Sequence, residues 1–196
     1  MNEIGNETTV PGLFLIENFL TVEEEDRIIQ ELSEAPWLEN RNKSHFVQVY
    51  GPFHDDQYMI LKHAPITPFL PFMKPLISKI ALYHKQQLGS NVPLSKNLGD
   101  ENKTEIFVHD YCAGNTLPYH IDHYKSYEEV IYGISLLSSS TFSFKRKNQI
   151  IDVVLPRLSL YFMTGCARYK FQHGFPVLTE RRISLTIRTV NEQFMK

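Results

Sequence analysis

The chain has 196 residues, is 42% hydrophobic, carries a formal net charge of −2 and contains two cysteines. That length supports one domain with a full core, and the charge argues against a strong free-standing nucleic-acid binder, which needs clustered Lys and Arg to meet phosphate. Cys112 and Cys166 make no disulfide framework, so a cytoplasmic or nuclear setting is expected.

The opening Met1-Asn2-Glu3-Ile4-Gly5-Asn6-Glu7 is polar and acidic, without the apolar stretch of a signal peptide. Residues 1–10 are expected to be disordered. No apolar run approaches the roughly 20 residues of a membrane span, so no membrane association is expected. Leu13, Phe14, Leu15 and Ile16 predict a short buried strand. Thr21 followed by Glu24 is a capping-box pattern and predicts a helix over 22–34, with Ile28, Ile29 and Leu32 on its apolar face and Pro36 beyond its end. Residues 37–58 mix Trp37, Phe46 and Tyr50 with Arg41 and Lys43, and Val47 and Val49 alternate as in a strand or hairpin. Pro65, Pro68 and Pro71 mark turns. Leu76, Ile77, Ile80 and His84 predict a second helix over about 75–88, with Pro75 tolerated in its first turn.

After a polar loop over 89–103 the texture changes. Short β-rich segments follow at about 105–111, 118–122, 130–137, 141–146, 150–154, 158–164, 168–173 and 181–189. Many short strands with brief turns suit a double-sheet jelly roll. The expected class is mainly β with flanking helices (α+β): a double-stranded β-helix jelly roll over 105–190, with two N-terminal helices packed on one sheet, in a single domain spanning 1–196.

The chemistry concentrates in this second half. His120-Ile121-Asp122 puts an imidazole and a carboxylate on one face of a strand, since side chains alternate. His173 supplies a second imidazole from a distant segment. Two imidazoles and one carboxylate form the facial triad of non-heme iron(II) oxygenases, which leaves positions open for a co-substrate and dioxygen. Further on, Arg182, Ser184, Thr186 and Arg188 share one face of a strand, while Ile183, Leu185 and Ile187 share the other. Taken alone, such a strand turns its polar face to water. Beside an iron triad, two guanidiniums suit a dicarboxylic acid, because each forks onto a carboxylate and keeps its proton. Glu105, Phe107, His109 and Tyr111 also share a strand face, so His109 and Tyr111 are expected to enter one cavity.

Four blocks resemble the AlkB family of Fe(II)- and 2-oxoglutarate-dependent dioxygenases: His109-Asp110-Tyr111, Leu117 to His123, Thr164 to His173, and Arg182 to Arg188. The ordered set is far more specific than a lone His-x-Asp. Pro118 to His123, Glu128-Glu129-Val130, Leu155 to Leu160 and Met163-Thr164-Gly165 carry a further likeness to the oxygenase domains of animal tRNA wobble-uridine hydroxylases, which also have RNA-recognition and methyltransferase parts that this chain has no room for.

The resemblance implies Fe(II) held by His120, Asp122 and His173. It implies 2-oxoglutarate as co-substrate and O2 as oxidant. It gives Arg182 the distal carboxylate of 2-oxoglutarate, Arg188 the end nearer iron, and Tyr111, His109 and Ser184 supporting hydrogen bonds. His109 and Ser184 stand where the family usually has Asn, which implies an altered grip on the co-substrate. Arg168 is read as a structural donor. Residues 37–58 become the candidate substrate lid, with Arg41 and Lys43 toward phosphate and Trp37, Phe46 and Tyr50 stacking on a base. Lys145-Arg146-Lys147 is a second cationic spot, otherwise a solvated turn. His45, His54, His63, His84 and His123 are read as ordinary. The substrate expected is a modified nucleobase in nucleic acid, tRNA foremost, hydroxylated or oxidatively demethylated. A protein or small-molecule hydroxylase on the same scaffold is the alternative. A partner protein supplying RNA affinity, and the oligomeric state, are left open.

Overall fold

The computed structural model describes residues 6–40, 43–52, 66–87, 89 and 92–194. In chain order the elements are β1 (Asn6–Glu7), β2 (Leu13–Ile16), α1 (Val22–Glu34), β3 (Leu38–Glu39), β4 (Phe46–Tyr50), α2 (Met73–Gln87), β5 (Thr104–Tyr111), β6 (Leu117–His120), β7 (Tyr127–Leu136), β8 (Ser140–Arg146), β9 (Gln149–Leu155), β10 (Leu160–Met163), α3 (Gly165–Tyr169), β11 (Gln172–Phe175) and β12 (Arg182–Val190). An eight-stranded sheet runs β1-β2-β10-β7-β12-β5-β4-β3, and a four-stranded sheet runs β6-β11-β8-β9. All the strand pairs are antiparallel. The result is the jelly roll with flanking helices that the strand pattern predicts.

The large sheet separates two cores. On one face Ile183, Leu185 and Ile187 of β12 join Tyr132, Ile134, Ile106 and Val108 against Ile28 and Leu32 of α1 and Leu76, Ile77 and Ile80 of α2. On the other face Ile131, Tyr161 and Met163 meet Phe142 and Phe144 of the small sheet. Removing this apolar surface from water is the main driving force for stacking the layers. The polar face of β12 therefore lies between the two sheets, not toward water, because its apolar face is already spent on the helices.

Polar ties fix where the helices sit. Thr21 Oγ1 accepts from the Glu24 amide at 3.2 Å, and Glu24 Oε2 accepts from the Thr21 amide at 2.8 Å. Glu24 also pairs with Lys79 of α2 at 2.7 Å. Glu25, only 1% exposed, accepts from the Leu137 amide and from Arg157, pinning α1 to the end of β7. A buried carboxylate is tolerable only with such partners.

Two local expectations need correction. Residues 6–10 are ordered: β1 pairs with β2, and Val10 is fully buried in the second core. Residues 168–173 are not one strand. Arg168 and Tyr169 end α3, and β11 starts only at Gln172. Six residues are too few for apolar periodicity to separate a helical turn from a strand. As the alternation of Val47 and Val49 predicts, the described part of 37–58 forms a hairpin, β3 and β4, on the edge of the large sheet beside β5.

Thr21→Ala removes one side of the capping box. It should cost about 1 kcal/mol, a fall in Tm of about 2–4 °C for a chain of this size, read by thermal denaturation.

Candidate metal centre and co-substrate pocket

His120 ends β6 and faces His173 of β11 in register, with ring centroids 4.4 Å apart. The strands approach closely here because Gly174 has no side chain; a Cβ there would sit 2.4 Å from the Leu117 carbonyl oxygen. Asp122 lies two residues past His120, and its Oδ2 is 3.4 Å from His173 Nε2. The three candidate donor atoms lie within 4.8 Å of one another. Pro118 O lies 3.0 Å from His120 Nδ1. This contact places the ring proton on Nδ1 and leaves the Nε2 lone pair free for a cation. Burial, then the nearby His173, lowers the His120 pKa and favours the neutral, ligating form. Phe142 and Phe144 flank the His173 ring, with centroids at 5.4 and 6.1 Å. Two imidazoles and a carboxylate in an aromatic-walled corner fit a divalent first-row metal.

Burial alone would raise the Asp122 pKa. The hydrogen bond to His173 and the Arg188 charge outweigh it and hold the carboxyl well below the usual carboxylate range. Arg188 Nη1 donates to Asp122 Oδ1 at 2.6 Å, and Arg188 Nε donates to Glu105 Oε1 at 2.9 Å, with Nη2 on the same Glu105 oxygen. Tyr127 donates its phenol proton to both Glu105 oxygens, at 3.1 and 3.0 Å. Glu105 is fully buried. Arg188, expected at the co-substrate carboxylate nearer iron, is therefore committed to two carboxylates of the protein itself. It also lines the cavity, and its bond to Oδ1 holds Asp122 in place. Glu105 was on the predicted cavity face; only the register, which sets Arg188 opposite Glu105, reveals the pairing.

Arg182, on the same strand face, is the contrast. It is 3% exposed. Its Nε donates to Ser135 Oγ at 3.2 Å, and its guanidinium lies 5.7 Å from the Phe175 ring centroid. Among the described residues no carboxylate pairs with it. Burial lowers its pKa, opposed only by the Tyr161 and Tyr111 phenols nearby. A buried guanidinium without an anion is costly, so this end of the cavity suits a carboxylate. Tyr111 stands opposite Arg182 in register, and Ser184 stands between His109 and Ser135.

Tyr161 also lines the cavity, a position that spacing gave no reason to single out. Its ring lies across Gly133, where a Cβ would come within 1.9 Å of it; burial pushes its phenol up to about 12. The cavity enclosed by these groups measures about 570 Å³ and runs from Arg182 past His109 to the three metal-type donors, within the usual range for small-molecule sites.

His45 is another residue the spacing passed over. Its Nε2 is 2.9 Å from His109 Nδ1, and its ring lies against Tyr111 with centroids 4.2 Å apart. Arg168 is fully buried and donates to the Asp122 and His123 carbonyls at 2.8 and 3.2 Å, clamping the backbone after the carboxylate. His123 is bound to Ser126 Oγ at 2.7 Å and His84 to Tyr132, as ordinary side chains.

The substrate candidates fare differently. Arg41 lies outside the described residues. Lys43 is exposed in the turn before β4 and does not line the cavity. Tyr50 is corrected: it is 4% exposed within the helix-facing core and donates to Gln48 Oε1 at 3.0 Å, so it does not stack on a substrate. Strand parity sends positions 48 and 50 to the helices and leaves Val47 and Val49 opposite His109 and Phe107.

The two buried arginines should answer substitution of their surroundings in opposite ways. Glu105→Ala leaves Arg188 with Asp122 as its one carboxylate and the Tyr127 hydroxyl without its acceptor, and should cost about 1–3 kcal/mol in chemical denaturation. Arg182→Met removes an uncompensated buried charge. Without ligand its stability should equal or exceed that of the parent, while the Tm rise on adding 2-oxoglutarate disappears. Equal losses in both variants would contradict this division.

Comparison with known proteins places the site in context. The profile of the 2OG-Fe(II) oxygenase superfamily matches residues 12–188. The mouse protein named tRNA (carboxymethyluridine(34)-5-O)-methyltransferase ALKBH8 is 27% identical over 206 residues, covering 97% of this chain and 27% of that protein. An Arabidopsis thaliana protein named alkylated DNA repair protein ALKBH8 homolog is 27% identical, covering 95% of this chain and 60% of that one. The chain thus spans about a quarter of the mouse relative and three fifths of the Arabidopsis one. The solved structure of OsALKBH1 superposes with a TM-score of 0.69 at 17% identity, covering 93% of this chain and all of that one, a likeness of fold. With its jelly roll, its His-x-Asp and distal His, and its AlkB-type relatives, the chain belongs to the 2OG-Fe(II) oxygenase superfamily and is an oxidoreductase of the Fe(II)- and 2-oxoglutarate-dependent kind.

Proposed function

We propose that this chain hydroxylates or oxidatively demethylates a modified nucleobase in nucleic acid, with tRNA as the substrate. In this reading His120, Asp122 and His173 hold Fe(II), and Arg182 takes the distal carboxylate of 2-oxoglutarate. Arg188 and Arg168 keep Asp122 in place, and the Tyr111 hydroxyl and Ser184 line the route between. When bound, iron and 2-oxoglutarate supply oxidative chemistry: the keto acid and O2 become succinate and CO2 as one oxygen atom enters a substrate C–H bond. Hydroxylation of an N-methyl carbon leads to loss of formaldehyde, and hydroxylation of a carbon-linked side chain leaves a stable alcohol. The protein's own part is to orient the reactants and exclude water.

The observation that supports a nucleic acid is a surface on the outer face of β6 and β8 and the segment after β6, outside the cavity lining. Tyr119 is 38% exposed, and the Lys145 ammonium lies 5.4 Å from its ring centroid. Tyr124 is 60% exposed and has Lys125 beside it. Exposed aromatic rings paired with cations suit stacked bases and phosphate. The names of the mouse and Arabidopsis relatives point the same way. A net charge of −2 gives little general attraction for RNA, so a partner protein that supplies it, in the cytoplasm or nucleus, belongs to the proposal.

Incubation of tRNA with the protein, iron and 2-oxoglutarate, followed by mass spectrometry of nucleosides, should show one modified nucleoside gaining oxygen or losing a methyl group. His120→Ala should abolish both this change and succinate formation. Unchanged nucleosides, with oxygen gained by peptides or metabolites instead, would favour the protein or small-molecule hydroxylase. Lys145→Glu should raise KM for RNA about tenfold, a change of 1.4 kcal/mol, without altering 2-oxoglutarate affinity.

A further inference from the structure

His109 and His45 form the inner end of a polar chain that starts in the turn between β3 and β4. The Ser44 amide donates to Asn40 Oδ1 at 2.8 Å. A backbone N–H can only donate, so this bond fixes which end of the Asn40 amide is oxygen. Asn40 Nδ2 must then be the donor to Ser44 Oγ, at 3.1 Å. The Ser44 hydroxyl has two places for its proton, His45 Nδ1 at 2.9 Å and Asn40 Oδ1 at 3.4 Å, and the shorter contact favours His45. With Nδ1 accepting, a neutral His45 carries its proton on Nε2, which lies 2.9 Å from His109 Nδ1. His109 then accepts on Nδ1 and carries its own proton on Nε2.

We infer that His45 is a positioning residue which, through this one-way chain, locks His109 as the Nε2–H tautomer, so that His109 presents a hydrogen-bond donor to the carboxylate-bearing co-substrate. The inference rests on the reading of the cavity as a 2-oxoglutarate site. His45 does not line the cavity, whereas His109 does. The His109 ring is held between Phe107 and Tyr111, at 4.4 and 5.4 Å with interplanar angles of 16° and 9°, so it cannot readily flip to exchange its nitrogens. Burial lowers the pKa of both rings, more strongly at His109, where His45 and the two arginines add to the effect. Both rings are therefore neutral at neutral pH, and tautomer, not charge, decides what His109 offers. An acceptor nitrogen facing the cavity would repel a carboxylate; a donor binds it.

The test uses the whole chain loaded with Mn(II) and measures 2-oxoglutarate affinity by calorimetry, alongside long-range 15N correlation spectra of the histidines in the metal-free protein. His45→Ala should weaken 2-oxoglutarate binding about tenfold, the size of one lost hydrogen bond to a charged group. His45→Gln, whose amide can still donate to Nδ1, should recover most of it. In a His109→Asn background, where the amide is a donor without a tautomer to fix, His45→Ala should cost nothing further. The spectra should show the His109 proton on Nε2 in the parent and a mixture of tautomers in His45→Ala. The same penalty in both backgrounds would mean that His45 merely packs on Tyr111, and a proton on His109 Nδ1 in the parent would reverse the chain; either result overturns the inference. A parent that binds no 2-oxoglutarate refutes the reading of the cavity instead, and the spectra still decide the relay.

Discussion

A buried guanidinium between two buried carboxylates ties this structure together. Arg188 belongs to the large sheet, and Asp122 follows β6 of the small one. Glu105 of the neighbouring β5 accepts from Arg188 Nε and Nη2, and Tyr127 of β7 donates to Glu105 in turn. Charges taken out of water are tolerable only when each finds its partner. The pair therefore holds the two sheets at one separation and sets the rotamer of Asp122. The two histidines come into register by strand pairing alone, but the carboxylate reaches them from an irregular segment, and it is Arg188 and Arg168 that keep it there.

The same strand face carries a second guanidinium in the opposite condition. Arg182 is as buried as Arg188 is paired, yet its only hydrogen bond among the described residues is to a serine hydroxyl. One arginine is paired with carboxylates of the scaffold, and for the other no carboxylate partner stands among the described residues. This division gives the cavity a direction, with a carboxylate-seeking end at Arg182 and a cation-seeking end at the three donor atoms. A keto-diacid matches that polarity, since one end carries a carboxylate for the guanidinium and the other can chelate a metal.

Much of this was visible in the chain itself. Thr21 and Glu24 mark the start of α1 because capping is a contact across three residues. The alternation over Arg182 to Arg188 separates two faces because strand side chains alternate. The spacing failed where the deciding contact was distant. Tyr50 looked like an available aromatic until pairing of β4 with β5 turned it toward the helices. His45 looked ordinary because His109, its partner, is far away in the sequence. The turn of α3 passed for strand because Arg168 is drawn inward by carbonyls of another segment. Residues 6–10, polar at the start, are ordered by Val10 entering a core built from later strands.

The sequence by itself determined the inventory and its local phase: which residues could bind metal or carboxylate, which shared a strand face, and where α1 begins. These follow from backbone geometry over a few residues. The tertiary structure alone decided which of two similar arginines has no carboxylate partner among the described residues, which carboxylates pair with the other, and which ring His109 meets. Each of those depends on strand register and burial, and the energy of a charge or a buried hydrogen bond is set by the groups brought against it from elsewhere in the chain.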